Sequence, residues 1–217
     1  MKKPILNLSF IIAVLCSVAL ALGKASASEP ATILFLGDSL TAGYGIEQEL
    51  AYPALVALKA REAGYNIEII NAGMSGDTSA GGVRRLPWIL QRKVDIAVIA
   101  LGANDGLRGL PVSTLKENLA AIVSQIRSKY PNCIIVVAGM KLPRNLGNDY
   151  NKSFEAVFEE VAREHNTEHI PFLLKEVAAD PSLNQPDRLH PTSDGHEKIA
   201  ATVWLTLEPI LSKMQRG

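Results

Sequence analysis

Ile33-Leu34-Phe35-Leu36-Gly37-Asp38-Ser39-Leu40 decides the reading of this chain. Four consecutive apolar residues without alternation suit a strand covered on both faces of a parallel sheet. The run stops at Gly37 and opens a glycine-rich turn, Thr41-Ala42-Gly43-Tyr44-Gly45. A serine just past a buried strand lies at the carboxyl edge of a sheet, where open α/β sheets place their sites. Near the other end stands Asp187-Arg188-Leu189-His190, a carboxylate three residues ahead of an imidazole. One segment offers a nucleophile, the other a base with an acid to orient it.

Outward from this stretch, apolar runs alternate with amphipathic ones. Strands are expected at Thr32–Leu36, Ile67–Asn71, Ile96–Leu101, Cys133–Ala138 and, more weakly marked, Glu168–Phe172. A helix is expected over Tyr52–Ala63, stopped by Gly64. Another, over Ala80–Gln91, is interrupted by Pro87. Over Ser113–Lys129 the residues Leu115, Leu119, Ile122, Val123 and Ile126 share one helical face. Asn148–His165 and Thr192–Leu211 complete the set, with Ser193-Asp194 available to cap the last. This alternation predicts an α/β fold of three layers, α/β/α, with a five-stranded parallel sheet in flavodoxin-like order. No internal repeat, low-complexity tract or linker divides the sequence. The irregular stretch 173–186 reads as a loop carrying Asp187 and His190 to the sheet's carboxyl edge.

The first 27 residues have the make-up of a signal peptide. Lys2 and Lys3 are followed by an apolar core, Phe10 to Leu22, and by Ala25-Ser26-Ala27, a small-x-small cleavage pattern. The apolar core is shorter than the roughly 20 residues of a spanning helix. Residues 28–217 are then the mature single domain, in the periplasm or secreted. Cys16 lies inside the apolar core, which argues against lipidation. Removing Lys2, Lys3 and Lys24 from the 22 basic residues leaves 19 against 22 acidic ones. With a formal charge of −3 and no basic stripe, nucleic acid is not an expected partner. Cys133 is then the only cysteine, so no intrachain disulfide is available. Its apolar neighbours mark it as a core residue and not a nucleophile.

Two more segments follow strand ends, Asn71-Ala72-Gly73-Met74-Ser75-Gly76-Asp77-Thr78 and Leu101-Gly102-Ala103-Asn104-Asp105-Gly106. Acyl transfer needs donors aimed at the oxyanion of a tetrahedral intermediate. The Ser39 and Gly76 N–H groups and the Asn104 side-chain amide are the candidates. Each residue has a plainer reading: a turn serine, a turn glycine, an Asx-turn, a helix cap at Asp187 and His190. Four such blocks in order at successive strand ends favour the chemical one. Ser75 lacks a strand-to-turn setting of its own. His196 reads as exposed or as a local cap, and Asp38 as a brace of the turn. No H-E-x-x-H or similar metal spacing occurs, and no G-x-S-x-G marks an α/β-hydrolase elbow.

On these blocks the chain resembles the SGNH (GDSL) hydrolases over about Ile33 to Trp204. The wording Gly-Asp-Ser-Leu-Thr-Ala-Gly-Tyr, Gly-Asp-Thr-Ser and Asn-Asp-Gly-Leu-Arg-Gly is similar to the bacterial periplasmic thioesterase, lysophospholipase and arylesterase group. The resemblance implies Ser39, Asp187 and His190 as the catalytic triad, with Ser39, Gly76 and Asn104 as the oxyanion hole. It also implies hydrolysis of acyl esters or thioesters without metal or cofactor. Ala103 departs from members that carry Gly there and leaves Asn104 in place. Two alternatives stay open, a carbohydrate-ester deacetylase on the same scaffold and a catalytically silent flavodoxin-like binding protein. Substrate preference and oligomeric state are left open. For an acyl group, Leu107, Leu110, Pro111, Met140, Leu142 and Pro143 are candidate wall residues, with Leu110, Leu142 and Pro143 foremost. Lys141–Tyr150 is expected to be a mobile wall beside it. A lipid substrate would be met only in transient contact.

Overall fold

The unbroken apolar run becomes the middle of the sheet. In the computed structural model, which describes residues 29–143 and 147–216, β1 (Ala31–Gly37) pairs with β2 (Ile67–Gly73) on one side and β3 (Ile96–Ala100) on the other, all parallel. β4 (Ile134–Ala138) and the short β5 (Glu168–Ile170) follow. The order β2-β1-β3-β4-β5 is the flavodoxin-like one anticipated from the sequence. β1, β3 and β4 are buried along nearly their whole length, whereas the edge strand β2 is half-buried. Chain order and burial therefore follow from the same apolar runs. The signal peptide expected over residues 1–27 lies outside the described residues.

Two helix groups cover the sheet. α2 (Tyr52–Glu62) packs on α7 (Ser193–Arg216), and α3 (Ser79–Ile89), α5 (Val112–Lys129) and α6 (Asn148–Glu164) pack in succession. α3 forms despite Pro87, because the proline falls in its last turn and Thr78 Oγ1 caps its start by accepting from Gly81 N–H at 3.3 Å. α7 runs past its expected end and through Pro209, because Leu207, Ile210 and Leu211 keep its apolar face in the core. Two of the segments that follow strand ends contain short helices, α1 (Ser39–Ala42) and α4 (Ala103–Leu107). Cys133 is a free, buried thiol that burial pushes up to about 12, a core residue as its neighbours indicated. Among the described residues, no helix is long and apolar enough to cross a membrane.

His196 corrects the sequence reading. It is buried, not exposed, and ties two helix starts together. Its Nδ1 accepts the N–H of Tyr52, the first residue of α2, at 3.1 Å, and its ring stacks on Tyr52. The Tyr52 hydroxyl in turn shares a 2.8 Å hydrogen bond with Thr41 Oγ1 in α1. α2 starts with an N–H that no helical carbonyl can take, and a histidine 144 residues away takes it. Burial, helped by the charge of His190, lowers the His196 pKa from 6.5 to about 4.

We expect His196→Phe, which keeps a ring against Tyr52 but removes the acceptor, to lower unfolding stability by about 1–3 kcal/mol at pH 8. The penalty should shrink as pH falls from 6.5 towards 4, because only unfolded wild-type chain gains a proton there. Asp38 works with opposite sign. Burial raises its pKa from 3.8 to about 6, so the folded state binds the extra proton between those values. Being present in both proteins, it cancels in the difference. Urea midpoints of both proteins at pH 8 and pH 4.5 check this.

Candidate active site

Ser39 is held at the sheet edge by what surrounds α1. Asp38 caps the helix, its Oδ1 accepting Leu40 N–H at 3.0 Å. Two glycines are required by close approach. A Cβ on Gly37 would lie 1.9 Å from Thr41 Oγ1, and one on Gly73 would lie 2.2 Å from the Ala42 nitrogen. Asn71 completes the seat. Its Nδ2 donates to the Thr41 carbonyl and its Oδ1 accepts Gly73 N–H, both at 2.9 Å. α1 is thus fixed on the ends of β1 and β2, and Ser39 at its first position has an N–H that no helical carbonyl takes.

His190 reaches this serine from 151 residues away. Its Nε2 is 3.0 Å from Ser39 Oγ, and its Nδ1 is 2.7 Å from Asp187 Oδ2. The Asp187 Oδ1 accepts the N–H groups of Leu189 and His190 at 2.9 and 3.0 Å. The turn needs Arg188 at φ +58°, a left-handed conformation that costs a non-glycine residue about 1 kcal/mol or more. The hydrogen bond to the His190 ring, then those to the His190 and Leu189 backbone, lower the Asp187 pKa to about 2. Gln185 binds this loop to the Ser39 loop, donating to the carbonyls of Tyr44 and Pro191 at 2.7 and 3.0 Å. Tyr44 lies against the His190 ring at 4.4 Å between centroids.

Asn104 sits in the first turn of α4, its Nδ2 donating to the Asp77 carbonyl at 2.9 Å and lying 3.4 Å from Asp38 Oδ2. Gly76, the residue before Asp77, turns through φ +78° in an exposed part of the loop. At Gly76 a Cβ would meet only Arg108, at 3.8 Å, and glycine is suited there by its positive φ. Ser39, Asp187, His190, Asn104 and the Gly76–Asp77 loop are therefore gathered at one edge. Ser75 is exposed on that loop, and His169 lies in β5.

The comparisons with known proteins identify the family. The model of the GDSL-like lipase/acylhydrolase family matches residues 35–198. Esterase TesA of Pseudomonas aeruginosa is 36% identical over 181 residues, 83% of this chain and 89% of that protein. Thioesterase 1/protease 1/lysophospholipase L1 of Escherichia coli K12 is 35% identical over 182 residues, 83% and 85% of the two chains. The crystal structure of the psychrotrophic esterase EstA from Pseudoalteromonas, inhibited by monoethylphosphonate, superposes with a TM-score of 0.79 at 35% identity, covering 83% of this chain and 98% of that one.

This chain belongs to the GDSL-like lipase/acylhydrolase family. In this acylhydrolase a cavity of about 180 Å³ opens beside Ser39 and His190. Leu107, Met140, Leu142, Pro143, Leu174 and Leu189 supply its apolar wall. Leu142 also packs on Gly106, where a Cβ would lie 2.5 Å from its Cδ2. Of the three foremost wall candidates, Leu142 and Pro143 line this cavity and Leu110 does not. The Leu110 N–H and carbonyl are taken by the Asp105 carbonyl and the Tyr150 hydroxyl. Part of the wall expected over Lys141–Tyr150, residues 144–146, lies outside the described residues. Among the described residues, no cluster of His, Cys, Asp and Glu could hold a metal ion.

Sequence reasoning passed over the polar groups packed beside Asn104. Asp105 is buried beside Asn104, accepting Ser79 N–H at 2.8 Å and Ser79 Oγ–H at 2.5 Å, while Asn118 Nδ2 donates to Ser79 Oγ at 2.9 Å. The only sequence signal was adjacency to Asn104 and to the start of α3. Ser79→Ala should leave a buried carboxylate oxygen without its partner and lower unfolding stability by about 1–3 kcal/mol. Urea unfolding of the variant measures this directly.

Proposed function

We propose that this acylhydrolase cleaves carboxylic esters and thioesters through Ser39, His190 and Asp187. The 3.0 Å approach of His190 Nε2 to Ser39 Oγ, with Asp187 on Nδ1, carries the reading. His190 takes the hydroxyl proton as Ser39 Oγ attacks the acyl carbon. Asp187, with its lowered pKa, is ionised at working pH and holds the Nδ1–H tautomer, which leaves Nε2 free as base. The tetrahedral oxyanion is met by the N–H groups of Ser39 and Gly76 and by the Asn104 amide. The proton moves from His190 to the leaving alcohol or thiol. Water, deprotonated by His190, then attacks the acyl-serine and frees the carboxylic acid.

Acyl groups enter the cavity walled by Leu107, Leu142 and Leu189. Its apolar lining suits a hydrocarbon chain, and the names of the related proteins, esterase and thioesterase/lysophospholipase, point to ester, thioester and lysophospholipid substrates. Contact with a lipid substrate would be transient. We also propose export, with cleavage after Ala27. The composition of residues 1–27 supports it, and the mature amino terminus, read by mass spectrometry, should be Ser28.

Ser39→Ala should remove hydrolysis of p-nitrophenyl esters while the protein stays folded, because the side chain lies at a turn. Retained turnover would overturn the assignment. Leu142→Ala removes wall from the acyl cavity. Each methylene that loses its contact is worth about 0.8 kcal/mol at most, so the ratio of kcat/KM for long-chain to acetate esters should change several-fold. An unchanged ratio across a p-nitrophenyl ester series would place the acyl groove elsewhere.

A further inference from the structure

One charged pair beside the donors has no part in the acyl-transfer steps. Arg85, on α3, donates from Nε to Asp77 Oδ2 at 2.7 Å and from Nη2 to the Gly37 carbonyl at 2.9 Å. The side chains are only 17% and 8% exposed. The Gly37 carbonyl also accepts Met74 N–H at 3.0 Å, so the end of β1, the loop after β2 and α3 meet at this guanidinium. Asp77 is the residue whose own carbonyl accepts the Asn104 amide. It is also the residue after Gly76. On its other side Gly81 is pressed close, where a Cβ would lie 1.6 Å from Asp77 Oδ1.

We propose that Arg85, acting through Asp77, is a positioning residue for the oxyanion donors. The inference rests on the reading of Asn104 as such a donor. A guanidinium can bind two acceptors at once in a fixed plane, whereas an ammonium is a point charge on a flexible stem. Here the two acceptors are the strand end two residues before Ser39 and the carboxylate of the loop that carries Gly76 and aims Asn104. Holding both sets the distance between the serine side and the amide side of the hole. Small errors in such a distance are felt in the transition state more than in substrate binding. The positive charge has a second use. Asp77 already contributes to raising the Asp38 pKa. An Asp77 without its partner would set a poorly solvated negative charge near the place where the oxyanion forms.

The surface pairs Lys116–Glu160 and Lys116–Glu164, at 2.9 and 2.8 Å, touch neither Asn104 nor Asp77 and serve as controls. The test is steady-state hydrolysis of p-nitrophenyl butyrate by full-chain Arg85→Lys, Asn104→Ala, the double variant and Lys116→Ala, each with its melting temperature. Arg85→Lys should lower kcat by about 10-fold or more with KM within about 2-fold. The double variant should lose at least about 5-fold less than the product of the single losses, since both changes act on one amide. Lys116→Ala should keep wild-type kcat. If Arg85→Lys does not fold, Asp77→Asn, which keeps the carbonyl but weakens the ion pair, should show the same coupling. Losses that multiply, or an Arg85→Lys that lowers melting temperature with unchanged kcat, would overturn this inference alone. An Asn104→Ala variant with unchanged kcat would overturn the donor reading and this inference with it.

Discussion

The 3.0 Å contact between His190 Nε2 and Ser39 Oγ is the constraint on which the rest of the structure depends. The two residues lie 151 positions apart in sequence, one just after the first strand and one just before the last helix. Neither end is held by the contact itself. Ser39 is fixed because α1 sits on glycines at the ends of β1 and β2. His190 is fixed because Asp187 binds its ring, Gln185 binds its loop to the Tyr44 carbonyl, and α7 begins three residues later. The His196–Tyr52–Thr41 chain then links the start of α7 through α2 back to α1. The distance is thus kept by hydrogen bonds spread over several elements, the buried ones at His196, Tyr52 and Thr41 among them.

Three buried or half-buried carboxylates lie around Asn104, and each is satisfied differently. Asp105 accepts from Ser79, Asp77 pairs with Arg85, and Asp38 caps α1 and lies 3.4 Å from the Asn104 amide. Burial raises the Asp38 pKa to about 6. Such groups are expensive to bury unless paired. Their presence here is consistent with a site in which backbone amides and one asparagine must be held more rigidly than apolar contacts alone would hold them.

Much of this was legible in the sequence. Continuous apolar runs at Ile33–Leu36, Ile96–Leu101 and Ile134–Ala138 mark interior parallel strands, and they are the interior strands. The blocks after the strands identify Ser39, Asn104, Asp187 and His190 as neighbours because strand ends share one edge. What was not legible depended on tertiary approach. His196 looks like any polar residue early in a helix, and only the position of α2 buries it. Arg85 lies eight residues from Asp77, with a helix start between them. Leu110 differs from Leu107 in no sequence property, yet Leu107, at the end of α4, lines the cavity and Leu110, three residues beyond it, does not. The left-handed Arg188 has no signal in residue type at all.

The account stands on an activated Ser39. The most direct measurement is to treat the folded protein with a fluorophosphonate ester and map the adduct by tryptic mass spectrometry, for wild type and for His190→Ala. The account predicts one phosphonyl group per chain, on the Ser39 peptide, and labelling at least about 100-fold slower without the histidine base. An adduct on Ser75 or elsewhere, or equal labelling rates in the two proteins, would contradict it.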